Sequence, residues 1–139
     1  MTGLIWTLRF KIAATVVFWC LPLIALPAAW LQAAGLPEQP SMLFLRLLGW
    51  AYLALCVGYS FALQAAVRGA IAHGPIWVGL VSNAGACIIL LSYGLQGAWA
   101  SWGGLVQFLA WSSVAATALI TTGLFYFGVY AAPRVHAHA

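Results

Sequence analysis

Four long apolar runs make up most of this chain, and its polar residues collect between them. Positions 12–34, 42–67, 75–95 and 105–130 are almost free of charge. Each reaches the ~20 residues that a helix needs to cross the hydrocarbon core of a bilayer. The segments between them carry turn chemistry. Gly35-Leu-Pro-Glu-Gln-Pro-Ser41 makes the first loop, and Arg68-Gly-Ala-Ile-Ala-His-Gly-Pro75 makes a short basic turn. Gly94 to Gly104, with Trp99 and Trp102, makes a neutral loop at the interface. Gly74 suits a helix end with positive φ, and Pro75 suits the first turn of the next helix. The pattern predicts an all-α integral membrane bundle of four transmembrane helices in one domain, residues 1–139.

Within this scheme Met1 to Lys11 reads as a short amphipathic lead before the first span. The apolar run behind it exceeds the ~7–15 residues of a secretory signal core, so it is read as a retained helix. Pro22 and Pro27 fall inside that run. Each removes a backbone donor, which predicts a kink or an unwound turn. Arg46 stands one turn inside the second span, where it can snorkel to the headgroups or pair with Glu38.

Basic residues set the expected orientation. Arg9, Lys11, Arg68 and Arg134 fall on one side of a four-span scheme and Arg46 on the other, which predicts cytoplasmic N and C termini. The expected location is the bacterial inner membrane, with the chain passing through it several times.

Composition strengthens the membrane assignment. Hydrophobic residues make up 65% of the chain and charged residues 4%, against ~25% charged in soluble domains. The formal net charge of +4 arises because there is one acid, not because bases cluster. A nucleic-acid footprint needs several bases on one surface, so no nucleic-acid partner is expected.

Polar groups within a span are costly, and each is therefore a candidate. Gly79, Asn83, Ala86 and Cys87 share one face of the third helix by i, i+4, i+7, i+8 spacing. The second helix brings Tyr52, Cys56, Tyr59 and Ser60, with Gln64 nearer its end. The fourth brings Ser113, Thr117 and Thr121. These residues point first to contacts between helices, where small residues permit close approach and Gly79, Cys87, Ser113, Thr117 and Thr121 pack. A sharper possibility is a polar pocket of Asn83, Tyr59 and Gln64 that binds a headgroup, a quinone or a small substrate.

The spans contain no carboxylate and the chain no Asp, so paired-carboxylate and Ser-His-Asp catalysis cannot be assembled. No enzymatic activity is expected. Cys20, Cys56 and Cys87 each lie in an apolar segment without a CxxC, a nearby His or a neighbouring charge, and are read as small buried hydrophobes. His73 belongs to the basic turn, and His136 and His138 to the tail. No metal and no cofactor are expected.

The run Leu45-Arg-Leu-Leu-Gly-Trp-Ala-Tyr-Leu-Ala-Leu-Cys-Val-Gly-Tyr59, followed by Arg68 and Ile76-Trp-Val-Gly-Leu-Val-Ser-Asn83, resembles the central hairpin of small four-span bacterial membrane proteins of the broad DoxX-like set. The resemblance covers about half of the chain. It implies the four-span architecture and, through some members of that set, an association with redox membrane complexes. It transfers no functional residue.

The expected role is therefore a non-catalytic accessory or structural subunit of a larger membrane complex, redox or pigment-bearing. Its partners would be membrane lipids and other integral membrane subunits. The alternative is a lipid or small-molecule carrier or channel, formed by oligomerisation around the Asn83 face.

Overall fold

The computed structural model describes residues 1–131. Arg134, His136 and His138, which entered the charge pattern and the tail, lie outside the described residues. Five helices account for most of the rest: α1 (Thr2–Ala25), α2 (Ala28–Ala33), α3 (Leu43–Val67), α4 (His73–Leu95) and α5 (Gly104–Tyr130). Four of them, α1, α3, α4 and α5, are long and apolar enough to cross a membrane. No strand occurs among the described residues. The four-span bundle expected from the apolar runs is therefore present.

The four long helices pack as a closed ring in which α1 meets α3, α3 meets α4, α4 meets α5, and α5 returns to α1. Short connections force neighbours in sequence to run antiparallel, the up-down-up-down arrangement of simple bundles. Leu4, Leu8, Tyr59, Ile76, Leu80 and Leu124 fill the centre. Lipid tails are as apolar as leucine, so close fit and not water exclusion holds such helices together. Gly79 shows the fit: a Cβ there would lie 2.7 Å from Leu124 Cδ1 and 3.2 Å from Tyr59 Cε1. Large apolar side chains face outward instead, among them Phe44, Phe108 and Leu119.

The first span departs most from expectation. It begins at Thr2, ten residues before position 12, and ends at Ala25. The reason is visible in the spacing of Leu4, Leu8 and Lys11, which fall on one helical face at i, i+4 and i+7. All three are buried, at 1%, 0% and 5% exposure. Arg9 points away from this face and sets its guanidinium 5.8 Å from the Trp6 ring centroid. What reads as a basic lead is the first half of a span.

Two prolines shape the far half of α1 differently. Pro22 stays within the helix, directly behind a π-helical turn at Val16–Cys20. The wider turn relieves the clash of the proline ring with the preceding backbone. At Pro27 the helix stops: Leu26 and Pro27 are extended, with ψ 138° and 151°. Pro27 has no N–H for the Leu23 carbonyl. Arg46 of α3 supplies the missing donors, with Nη1 2.7 Å from Leu23 O and Nη2 2.7 Å from Leu26 O. Arg46 thus closes the break in its neighbour with both terminal nitrogens, where the sequence suggested a partnership with Glu38.

Beyond the break, α2 leads into a glycine contact. The Gly103 N–H donates to the Gly35 carbonyl at 2.9 Å. Gly35 has φ 101°, and a Cβ there would lie 2.4 Å from Gly103 Cα. The loop after the first span and the loop before the last are thereby joined at one end of the bundle.

Candidate functional site

The buried polar residues of the described chain are Lys11 and Asn83, and they bind each other. At 1.5 Å per residue, Lys11 lies about 14 Å along α1 from Thr2, and Asn83 about 15 Å along α4 from His73. Both helices start from the same end of the bundle, so the two residues stand at one depth. Lys11 Nζ donates to Asn83 Oδ1 at 2.9 Å. That contact fixes the amide orientation, because an ammonium can only donate and the carbonyl oxygen must face it. The Asn83 amide nitrogen then turns back to the Gly79 carbonyl of its own helix.

Tyr59 completes the cluster from α3. Its ring lies beneath Lys11, with Nζ 4.3 Å from the centroid. Such a cation–π contact is worth ~2 kcal/mol when desolvated. Its hydroxyl shares a hydrogen bond with Ser82 Oγ at 3.0 Å, and Ser82 Oγ also donates to the Gly79 carbonyl at 3.2 Å. Three of the four spans thus meet around one ammonium. The one acid of the chain, Glu38, lies in the 35–41 loop, so the polar groups that face Lys11 are an amide and an aromatic ring. Polar dipoles solvate the charge; no carboxylate neutralises it.

Asn83 and Tyr59, paired from spacing alone, do come together, and Lys11 is what joins them. Gln64 is exposed and does not take part. Asn83 itself is buried, at 5% exposure. Two shallow grooves of about 260 and 230 Å³ lie elsewhere, one lined by Trp6, Thr7, Phe10, Leu119 and Ile120, the other by Phe10, Ala13, Ala14, Val17 and Phe18. The cluster is packed side chain on side chain, so its chemistry is charge solvation and cross-linking of helices.

The remaining candidates separate into two kinds. Gly79 sits at the tightest contact between α4, α5 and Tyr59, as a packing residue should. Cys87 is half-buried and points its thiol at the Val114 carbonyl of α5, at 3.7 Å. Ser113, Thr117 and Thr121 are also half-buried, but their hydroxyls donate to carbonyls within α5: to Leu109 at 2.7 Å, Ser113 at 2.7 Å and Thr117 at 2.8 Å. A hydroxyl in a helix finds the carbonyl four residues back more readily than a neighbour. This ladder therefore satisfies its own helix and forms no bridge between helices.

Sequence reasoning missed Lys11. Cys20 and Cys56 are buried at 1% and 4% exposure. Cys20 lies on α1 and Cys56 on the adjacent α3. The signal that finds Lys11 is its register with Leu4 and Leu8.

No family model, curated protein or solved structure matches the chain.

Proposed function

We propose that this chain is a non-catalytic, multi-pass accessory subunit that packs against a larger integral membrane protein. The observation that carries the reading is the engagement of the buried polar residues with one another. Lys11 and Asn83 bind each other over the Tyr59 ring, and two shallow grooves lie on the outer wall. What the molecule offers to other molecules is that wall, where Phe44, Trp50 and Phe108 stand 76%, 60% and 69% exposed. Flat aromatic surfaces of this kind suit lipid and partner helices alike. The partner complex in this reading is redox or pigment-bearing.

The same reading places the protein in a bacterial inner membrane with cytoplasmic termini. Lys11 and Arg46 are engaged inside the bundle, so the orientation rests on Arg68 in the α3–α4 turn and Arg9 near the N-terminus.

Extraction in mild detergent followed by mass spectrometry tests the proposal. The expected result is stoichiometric co-elution with a larger integral membrane assembly. Leucine replacement of Phe44 and Trp50 should weaken that association while the fold survives. A lone monomer in gentle extraction, with no co-eluting subunit, overturns it. The carrier alternative predicts that Asn83→Leu abolishes flux in vesicles; the engagement of Asn83 with Lys11 weighs against it.

A further inference from the structure

We infer that the outer face of α1 binds one anionic phospholipid, with an acyl chain laid along the helix and the headgroup phosphate held by Arg9. The two outer grooves supply the place for the chain. The first runs between α1 and α5, with Trp6, Thr7 and Phe10 on one side and Leu119 and Ile120 on the other. The second continues from Phe10 to Val17 and Phe18 over Ala13 and Ala14. The grooves share Phe10, and positions 6, 10, 13, 14, 17 and 18 recur at the spacing of one helical face. Trp6, Phe10, Val17 and Phe18 are each more than half exposed, and the small alanines between them form the floor. From Trp6 to Phe18 the stripe extends about 18 Å at 1.5 Å per residue. That is the reach of one leaflet, since half of a ~30 Å hydrocarbon core is ~15 Å.

Arg9 supplies the charge. It is exposed about 10 Å beyond the start of α1 at Thr2, in an apolar wall where an unmet guanidinium is costly. Trp6 lies one turn nearer the helix start, and the guanidinium stands 5.8 Å from its ring centroid. Charge and indole therefore share the end of the stripe where headgroups begin, the level at which indole rings settle. The one acid of the chain, Glu38, lies in the 35–41 loop at the opposite end of the bundle, so no side-chain carboxylate competes for Arg9. A guanidinium pairs with phosphate through two parallel N–H···O bonds. An anionic headgroup brings no cation of its own to offset that pairing. Along the stripe nothing polar is asked of a ligand: the Thr7 hydroxyl donates to the Gly3 carbonyl of its own helix at 2.9 Å. A partner helix in the same trough would have to bring an acid to Arg9, whereas a phospholipid carries phosphate and chain in one molecule. The site stands whether or not the chain also has a protein partner.

Phosphatidylglycerol, compared with phosphatidylcholine of the same acyl chains, tests the site. The delipidated full chain in mild detergent is mixed with each lipid, and retained lipid is counted by native mass spectrometry. One phosphatidylglycerol per chain is expected, held about tenfold more tightly than phosphatidylcholine, as one charge-assisted contact allows. Arg9→Gln should abolish that preference, and Ala13→Phe, which fills the trough, should weaken retention of both lipids. Arg68→Gln, in the α3–α4 turn, should change neither. Equal retention of the two lipids by the parent, a preference that survives Arg9→Gln, or an equal loss in Arg68→Gln overturns the inference. If a second copy or a partner helix fills the trough instead, Ala13→Phe breaks that association and leaves phosphatidylglycerol retention unchanged, and the inference falls. Should a variant fail to fold, the native chain decides. Phosphatidylglycerol carrying a photoreactive group at mid-chain, in phosphatidylcholine vesicles, should label residues 10–18 of α1, as read by peptide mass. Labels spread evenly over the four spans refute the site.

Discussion

Lys11 and Asn83, 72 positions apart in the chain, meet at 2.9 Å in the middle of the bundle. A protein with six formal charges places one of them where charge is most expensive. The contact ties the first span to the third, and the Tyr59 ring ties the second to both. Removing either partner should have unequal effects. Asn83→Leu strands the ammonium and should cost ~2 kcal/mol or more, since hydrogen bonds to charged groups are the strong ones. Lys11→Met removes the charge and leaves only the neutral Asn83 carbonyl without its donor, so it should cost less, ~1 kcal/mol. The double variant should recover most of the loss in Asn83→Leu. Unfolding by SDS in mixed micelles measures all three.

Arg46 offers a second cycle. Arg46→Leu leaves the Leu23 and Leu26 carbonyls without donors and should cost ~2–6 kcal/mol, at ~1–3 for each buried unpaired group. Arg46→Lys should rescue only part, because one ammonium does not reproduce a two-pronged fork. Pro27→Ala restores a backbone N–H for Leu23 and should lessen the damage of Arg46→Leu. The same micelle titration reads the coupling, and strict additivity of the two changes would contradict the role given to Arg46.

Packing is tested at glycines. Gly79→Ala places a methyl group against Leu124 and Tyr59 and should destabilise by ~1–3 kcal/mol, the usual cost of overpacking. Gly85→Ala meets nothing within 4 Å and should stay within ~0.5 kcal/mol of the parent. Thermal melts in one detergent, run side by side, distinguish them.

Tyr59 separates ring from hydroxyl. Tyr59→Phe keeps the face beneath Lys11 and loses only the bond to Ser82, a change of ~0.6 kcal/mol for an interhelical hydrogen bond in lipid. Tyr59→Leu also removes the cation–π contact and should lose ~2 kcal/mol more. Near-equal losses in the two variants, measured by SDS unfolding, would show that the ring does not solvate the ammonium.

The number and order of the spans were legible because apolar length is read directly from the chain. Helical spacing also puts Asn83 and Tyr59 on inward arcs, where both reach Lys11, whereas Gln64, grouped with them, is exposed. The boundary of the first span was not legible. A base at the edge of an apolar run normally marks the interface, and only the register of Lys11 with Leu4 and Leu8 shows it turning inward. The partner of Arg46 was hidden for a related reason. The sequence shows two prolines and one acid nearby, but not that Pro22 is absorbed by a π-turn while Pro27 breaks the helix and frees carbonyls. For Ser113, Thr117 and Thr121 the spacing shows a shared face but not that their hydroxyls bond carbonyls of their own helix. Periodicity states which side chains share a face, not whether a hydroxyl prefers its own backbone.

The glycine contact between residues 35 and 103 has a practical consequence for anyone attaching a reporter to this chain. A tag inserted in either of those loops would pry apart a backbone-to-backbone seam and report on a damaged molecule. The reversal at Gly69, with open space around it, leaves room for an epitope or a fluorescent label. Sidedness of the membrane is best mapped from there.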